Sequence, residues 1–240
     1  MSPTEYAVVA VAILVGSCLQ ASIGFGLGML AAPVIALVEP SLIPGTLIML
    51  AALVTLAVTV REREAIDFSG TGWALMGRVP GTAVGALLLA AIPQRALTLV
   101  IAGVVLLGVL LTSLGWIPAP RRRNLVLAGV TSGVLGTATS IGGPPMALVW
   151  QGSSGPRLRG TMSGFFLVGS VLSIVMLALT GAVHAETFRA CGLLMPALLA
   201  GYVLSRHVNG FLNPKRQRWT AIVMSVAGAA VLVAHEAGVW

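Results

Sequence analysis

Charge is what this 240-residue chain has least of. Asp, Glu, Lys and Arg make up 9% of it, against roughly 25% in an ordinary soluble domain. So few charged side chains cannot cover a water-facing surface. Carboxylates are the scarcest: Glu5, Glu39, Glu62, Glu64, Asp67, Glu186 and Glu236 all fall at the ends of apolar stretches or in the loops between them. Carboxylates inside the membrane are the usual relays for protons and metal cations, so their absence from the apolar interior argues against a cation pump. The two cysteines, Cys18 and Cys191, sit inside apolar stretches and give neither a disulfide framework nor a metal-ligand spacing. His184, His207 and His235 have no metal spacing either. No phosphate-binding loop and no dinucleotide fingerprint occurs. The string Gly152-Ser153-Ser154-Gly155 matches one seen in intramembrane serine proteases, but it lies in an expected surface loop with no histidine placed to serve it. These absences lead us to expect no enzyme, no cofactor and no metal site.

What is present is apolar. Hydrophobic residues are 57% of the chain and the mean hydropathy is +0.99. Apolar runs of about 18 residues or more recur along its length, as transmembrane helices require. The net charge of +7 could suggest nucleic acid, but the arginines occupy short loops between apolar segments, as topology determinants do. The partners expected are therefore a lipid bilayer and a small solute, with no nucleic acid; a homo-oligomer is possible. The opening Met1-Ser2-Pro3-Thr4-Glu5 lacks a basic stretch, so the first apolar segment is expected to be retained rather than cleaved.

The two halves repeat one another. Ser22-Ile23-Gly24-Phe25-Gly26 resembles Ser140-Ile141-Gly142-Gly143-Pro144. A clean helix follows each, Pro44 to Val60 and Thr161 to Thr180. Next comes a helix with matched proline and glycine, Pro80/Gly85 and Pro196/Gly201, then a turn with a basic residue after proline, Pro93-Gln94-Arg95 and Pro214-Lys215-Arg216. A last helix closes each half. The expected fold is an all-α polytopic membrane protein of two inverted repeats. Each repeat is a broken or re-entrant helix pair plus three transmembrane helices: residues 1–118, a basic linker at 119–124, and residues 125–240. The second pair, Leu125–Trp150, is short for two full spans at about 20 residues each. It reads as two half-length helices meeting near the midplane.

A helix pair followed by three spans is an odd number of crossings, which inverts the second half. The distribution of basic residues agrees. With the linker Arg121-Arg122-Arg123 on the cytoplasmic side, 12 of the 14 basic residues fall on that side, and only Arg95 and Arg189 fall outside. The expected location is the cell inner (plasma) membrane, multi-pass, with both termini extracytoplasmic.

Glycines and prolines that interrupt a span expose backbone groups, and such breaks line the substrate sites of inverted-repeat transporters. In the first break Gln20, Ser22, Gly24 and Gly26 offer amide, hydroxyl and backbone N–H groups. In the second, Thr137, Thr139, Ser140, Gly142 and Gly143 do the same, and Pro144 suits the first turn of the returning helix. Two helix N-termini facing each other would cradle an anion without a fixed cation. Gly77-x-x-x-Gly81-x-x-x-Gly85 reads instead as helix packing. Arg78, expected about one turn inside a span, is either a substrate-attracting cation or a side chain that snorkels to the interface.

The Gly-rich Ser22–Gly26 break followed by Ala32-Pro33, its partner Gly136-Thr137-Ala138-Thr139-Ser140-Ile141-Gly142-Gly143-Pro144-Pro145, and the Leu212-Asn213-Pro214 turn resemble the TauE/SafE (sulfite exporter, or TSUP) family over nearly the whole chain. The resemblance implies a bacterial-type inner-membrane permease for sulfite, an organosulfonate or a related sulfur-containing anion. An anion channel and a non-transporting assembly or scaffold component are the alternative readings.

Overall fold

A computed structural model describes residues 2–91, 93, 103, 119–150, 152, 153 and 155–211. Among the described residues there are eight α-helices, two short 3-10 turns and no strand. The helices are α1 (Pro3–Ile23), α2 (Leu27–Val38), α3 (Gly45–Arg61), α4 (Phe68–Ala91), α5 (Arg122–Thr139), α6 (Gly143–Val149), α7 (Gly155–Leu179) and α8 (Ala185–Phe211). Of these, α1, α4, α7 and α8 are long and apolar enough to cross a membrane. The expected closing helix of each half, the Pro214-Lys215-Arg216 turn and the side of Arg95 lie outside the described residues.

Local chemistry sets the helix ends. Ser2 and Glu5 form a reciprocal cap at the start of α1: the Ser2 hydroxyl accepts from the Glu5 N–H (3.2 Å) and the Ser2 N–H donates to Glu5 Oε2 (2.7 Å). Pro3 follows in the first turn, where no donor is lost. At the other end Gly24 is left-handed (φ 89°) and its N–H closes on the Gln20 carbonyl at 2.7 Å. Gly26 (φ 124°) then turns the chain into α2. The second break is built the same way with a different residue: Ser140 takes the left-handed cap (φ 64°), its N–H 3.0 Å from the Gly136 carbonyl.

Both breaks fall where expected, but the helices around them are unequal. α5 has 18 residues and α6 only 7, or about 27 Å and 10 Å at 1.5 Å per residue. α1 has 21 residues, about 32 Å, enough to span alone. The expected pair of half-length helices gives way to one long helix and a short return. The physical reason is packing. Gly129, Gly133 and Gly136 weaken α5 as an isolated helix, but they let it lie directly on α4. It therefore continues to the left-handed cap at Ser140.

That contact is glycine against backbone from both sides. A Cβ at Gly77 would strike the Val126 carbonyl and one at Gly81 the Val130 carbonyl, while one at Gly85 would lie 2.6 Å from the Val134 carbonyl. Reciprocally, Gly129 meets the Ala74 carbonyl and Gly133 the Arg78 carbonyl. The Gly77/Gly81/Gly85 stripe is thus a packing surface, as its spacing suggested. α8 lies on α1 in a related way. Gly201 meets the Leu14 carbonyl and Ser17 Cβ, the Ser17 hydroxyl donates to the Leu198 carbonyl (2.8 Å), and the Tyr6 hydroxyl donates to the Leu193 carbonyl (2.9 Å).

The buried side chains form two main cores. One gathers α1, α2 and α3 with α8 around Ile13, Leu27, Ile35, Leu47 and Leu194. The other gathers α4, α5, α6 and α7 around Leu125, Met146, Met162 and Phe165. Each core therefore takes three helices from one half of the chain and one from the other. α3 and α7 pack across the seam. The outward side chains, among them Val11, Leu56, Met76, Leu87, Val175 and Leu199, are large, apolar and exposed, as a lipid-facing surface requires.

Gly81→Leu should lower thermal stability by about 1–3 kcal/mol or more, because the α4–α5 contact has no room for a side chain. Gly72→Leu on the same helix, where a Cβ meets nothing within 4 Å, should be neutral within about 0.5 kcal/mol. Thermal denaturation of the detergent-solubilised variants checks both, and equal effects would contradict the packing assignment.

Candidate functional site

The start of α4 decides where its arginine sits. Asp67 caps the helix: its Oδ1 accepts from the Gly70 N–H (2.9 Å) and its carbonyl accepts from the Thr71 N–H (2.9 Å). The Gly70 N–H, and to a lesser degree Arg157, hold the Asp67 carboxyl below the ordinary carboxylate range. With Asp67 as cap, Phe68-Ser69-Gly70-Thr71-Gly72 is helical rather than loop. Arg78 is then ten residues past the helix start, about 15 Å along the axis. The arginine is thus nearly three turns past the helix start and five residues past Trp73, whose ring lies 4.7 Å from the guanidinium of Arg122 in the basic linker, in keeping with a position just over one turn inside the span. Snorkelling is ruled out as well, since Arg78 is 2% exposed.

The guanidinium is enclosed by elements of the same core. Its Nη1 donates to the Ser132 carbonyl (3.0 Å) and to the Ser132 hydroxyl (2.8 Å). That hydroxyl donates in turn to the Gly142 carbonyl at 2.6 Å, which links the arginine to the second break. The rings of Phe165 and Phe166 lie with centroids 5.2 and 5.8 Å from the guanidinium carbon, within cation–π range. Three glycines make the space: a Cβ at Gly136 or Gly142 would come within 3.0 Å of a terminal nitrogen, and one at Gly169 would collide with Nε. Nε has no hydrogen-bond partner, and among the described residues no carboxylate pairs with the group. Arginine stays protonated in proteins. Burying such an ion without a counter-ion costs several kcal/mol, which one serine and two ring faces offset only in part.

A small cavity of about 40 Å³ opens beside this arginine, between the two cores. It draws Gln20 and Gly26 from the first break, Ser140, Gly142 and Gly143 from the second, and Arg78 from α4. The remaining sequence candidates stand elsewhere. Gly24 faces Arg159 and Met162 of α7. Ser22 is buried with an unpartnered hydroxyl and does not line the cavity. Thr137 shares a hydrogen bond with Ser173 of α7 (2.7 Å), and Thr139 donates back to the Leu135 carbonyl (2.7 Å). Pro144 is buried in the first turn of α6. Sequence reasoning missed Phe25, Gly28 and Met29 of the first break, Ile48 and Ala51 of α3, and Phe166 and Ser170 of α7. One signal for Gly28 was available, the Gly24-x-Gly26-x-Gly28 spacing. A Cβ at Gly28 would strike the Ser140 carbonyl, so this glycine lets the two breaks touch.

The electrostatics differ from two matched helix N-termini. Gln20 Oε1 accepts from the Leu27 N–H at 2.9 Å, which occupies one donor of α2. α6 has seven residues and prolines at 144 and 145, so it contributes little dipole and few donors. The positive charge at the cavity comes from Arg78. Among the described residues no group of three or more His, Cys, Asp or Glu could hold a metal ion. The cavity can therefore offer an anion a fixed cation, a hydroxyl and glycine backbone close enough to touch.

The sequence profile of the family described as sulfite exporter TauE/SafE matches residues 8–232. No curated protein and no solved structure matches the chain.

Gly169→Ala puts a methyl group against the guanidinium and should cost about 1–3 kcal/mol of stability, whereas Gly192→Ala, where a Cβ meets nothing within 4 Å, should cost much less. Asp67 gives a pH test. Its folded carboxyl lies below the ordinary value of 3.8, so its stabilisation is complete above that value and is lost as pH falls through the lower folded value. Asp67→Asn should flatten the acid limb of a stability–pH curve, and an unchanged limb would contradict the cap.

Proposed function

This chain belongs to the TauE/SafE sulfite exporter family, which makes it a membrane transporter, and we propose that it carries a small sulfur-containing anion, sulfite or an organosulfonate, by alternating access around the cavity at Arg78. The observation that carries the reading is a guanidinium buried inside the protein, without a carboxylate partner among the described residues, in a cavity lined by both breaks. Such a group is stabilised by an anionic ligand. A sulfur oxyanion presents acceptor oxygens, which suit the planar donors of arginine and backbone at Gly26, Gly142 and Gly143, with the Ser140 hydroxyl joining once it leaves the Pro44 carbonyl. Gln20 orders the first break by holding the start of α2.

The seam location supports alternating access, because a site between two packed cores is exposed to one side or the other as the cores rock. The inverted repeat is supported by the way packing recurs: α4 of the first half lies on α5 of the second, and α8 of the second lies on α1 of the first. In this reading the basic face is cytoplasmic, the membrane is the inner membrane, and both termini lie outside. A negative-inside potential then favours anion exit by about 2.3 kcal/mol per charge per 100 mV, so export of a net anion needs no coupled ion.

Proteoliposomes test this. The wild type should move sulfite or a short sulfonate across the bilayer. Arg78→Gln removes the charge and should weaken substrate binding by about 2–5 kcal/mol, more than tenfold. Ser140→Ala combined with Gly142→Leu fills the cavity and should abolish flux. Wild-type transport that persists unchanged in both variants would sink the proposed site.

A further inference from the structure

A second charged cluster lies at the ends of α3 and α7, away from the cavity. Arg61 is the last residue of α3 and Glu62 its cap. Glu62 Oε1 accepts from Arg61 Nε (3.1 Å) and Arg159 Nε (3.0 Å), and Arg159 Nη2 lies 3.0 Å from the same oxygen. The side chains are 22%, 12% and 17% exposed for Arg61, Glu62 and Arg159, so this carboxylate holds two guanidiniums largely out of water. The neighbouring Arg63–Glu64 pair is 4.0 Å apart and at least 74% exposed, a surface contact of little consequence.

The cluster crosses the seam between the cores. Arg61 belongs to the first: its Nη2 donates to the Ala21 carbonyl at the end of α1 (2.9 Å), and its guanidinium lies 5.6 Å from the ring centroid of Tyr202 on α8. Arg159 belongs to α7 of the second. The helices meet closely here, since a Cβ at Gly160 would lie 2.8 Å from the Glu62 carbonyl, and one at Gly24 would lie 3.2 Å from Arg159 Cα. The cluster and the cavity share α3 and α7. On α7, Arg159 precedes the cavity residue Phe166 by seven positions, about 10 Å, and on α3 the cavity residue Ala51 precedes Glu62 by eleven, about 16 Å. The fully buried Met162 and Phe165 fill the α7 turns between.

We propose that Glu62 and Arg159 form an electrostatic latch that closes the cavity toward the basic face and opens by separation of this one ion pair. The assignment rests on the transport reading for its role in flux, while its geometry stands apart from it. When the cores part, Arg61 keeps its hold on α1 and α8, and Glu62 leaves Arg159. The two arginines then line the mouth as an anion arrives, and the incoming anion takes the place of the carboxylate between them. The latch therefore selects for anions at entry by competition with Glu62, as well as holding the closed state.

The test reads accessibility rather than flux. In a Cys18→Ser, Cys191→Ala background with Ala51→Cys as the sole thiol, a charged, membrane-impermeant thiol reagent is applied to one face of oriented proteoliposomes at a time. Glu62→Gln should raise the labelling rate at Ala51→Cys at least tenfold from the basic face and should not raise the rate from the opposite face. Arg159→Gln removes the same contact from the other side and should do the same, which keeps the test decisive if either variant fails to fold. An unchanged rate, or an equal rise from both faces, would overturn the latch. A second arm uses Glu62→Cys with Arg159→Cys. Cross-linking should stop sulfite flux and reduction should restore it, and flux that persists when cross-linked would also overturn the latch. Absence of any sulfite or sulfonate flux in the wild type would count against the transport reading instead, with the labelling result still deciding the latch.

Discussion

One buried cation organises this structure. The Arg78 guanidinium lies about 15 Å along α4 from the helix start, and among the described residues no carboxylate neutralises it. A long side chain there would ordinarily reach for the interface, but α4 rests on α5 along a glycine seam that leaves it no path outward. The surrounding sequence answers to that group. Gly136, Gly142 and Gly169 clear its volume, Ser132 divides its hydroxyl between the arginine and the second break, and Phe165 and Phe166 turn their faces to it. These contacts hold the guanidinium in place without cancelling its charge. What remains is a fixed positive site, held in place before any anion arrives, of the kind that stabilises an anion with little reorganisation.

The exchange of helices between the halves puts this site at a seam. α4 leaves the first half to pack with α5, α6 and α7, and α8 leaves the second to pack with α1, α2 and α3. The units with continuous apolar cores are therefore not the sequence repeats. Each is a mixture of the two, and both breaks are brought to the boundary between them. The contacts across that boundary combine close glycine–backbone approaches, Gly28 on the Ser140 carbonyl and Gly160 on the Glu62 carbonyl, with single polar contacts. They include a hydroxyl–carbonyl contact of 3.3 Å between Ser140 and Pro44 and the Glu62–Arg159 ion pair. On the proposed alternating-access reading, it is these single polar contacts that break and remake as the cores move.

Much of the frame was legible in the sequence because membrane helices obey coarse rules. Apolar length gave the spans, the Gly77/Gly81/Gly85 spacing gave a packing stripe, and glycine and proline in mid-span gave the breaks at Gly24–Gly26 and Ser140–Gly143. The burial of Arg78 was not legible. Asp67-Phe68-Ser69-Gly70-Thr71-Gly72 has the composition of a loop, and the Asp67 cap makes it the first turns of α4, but what holds the arginine inside is its packing on Ser132, Phe165 and Phe166, which no local pattern marks. Thr137 and Thr139 were misjudged because proximity in sequence to a break does not fix direction. The helical turn aims Thr137 at Ser173, and Thr139 spends its hydroxyl on the backbone of its own helix. Ser170 and Phe166 were invisible for the converse reason, since nothing in an unbroken apolar helix marks which face meets a cavity formed by other segments.

The central claim is that the counter-ion of Arg78 is the transported anion. Its most direct test is an experimental structure determined in lipid with sulfite present. The account predicts density for the anion within hydrogen-bond distance of the Arg78 guanidinium, between Gly26 and Gly142. Density for sulfite elsewhere in the protein, with the Arg78 cavity empty or filled only by water, would contradict it.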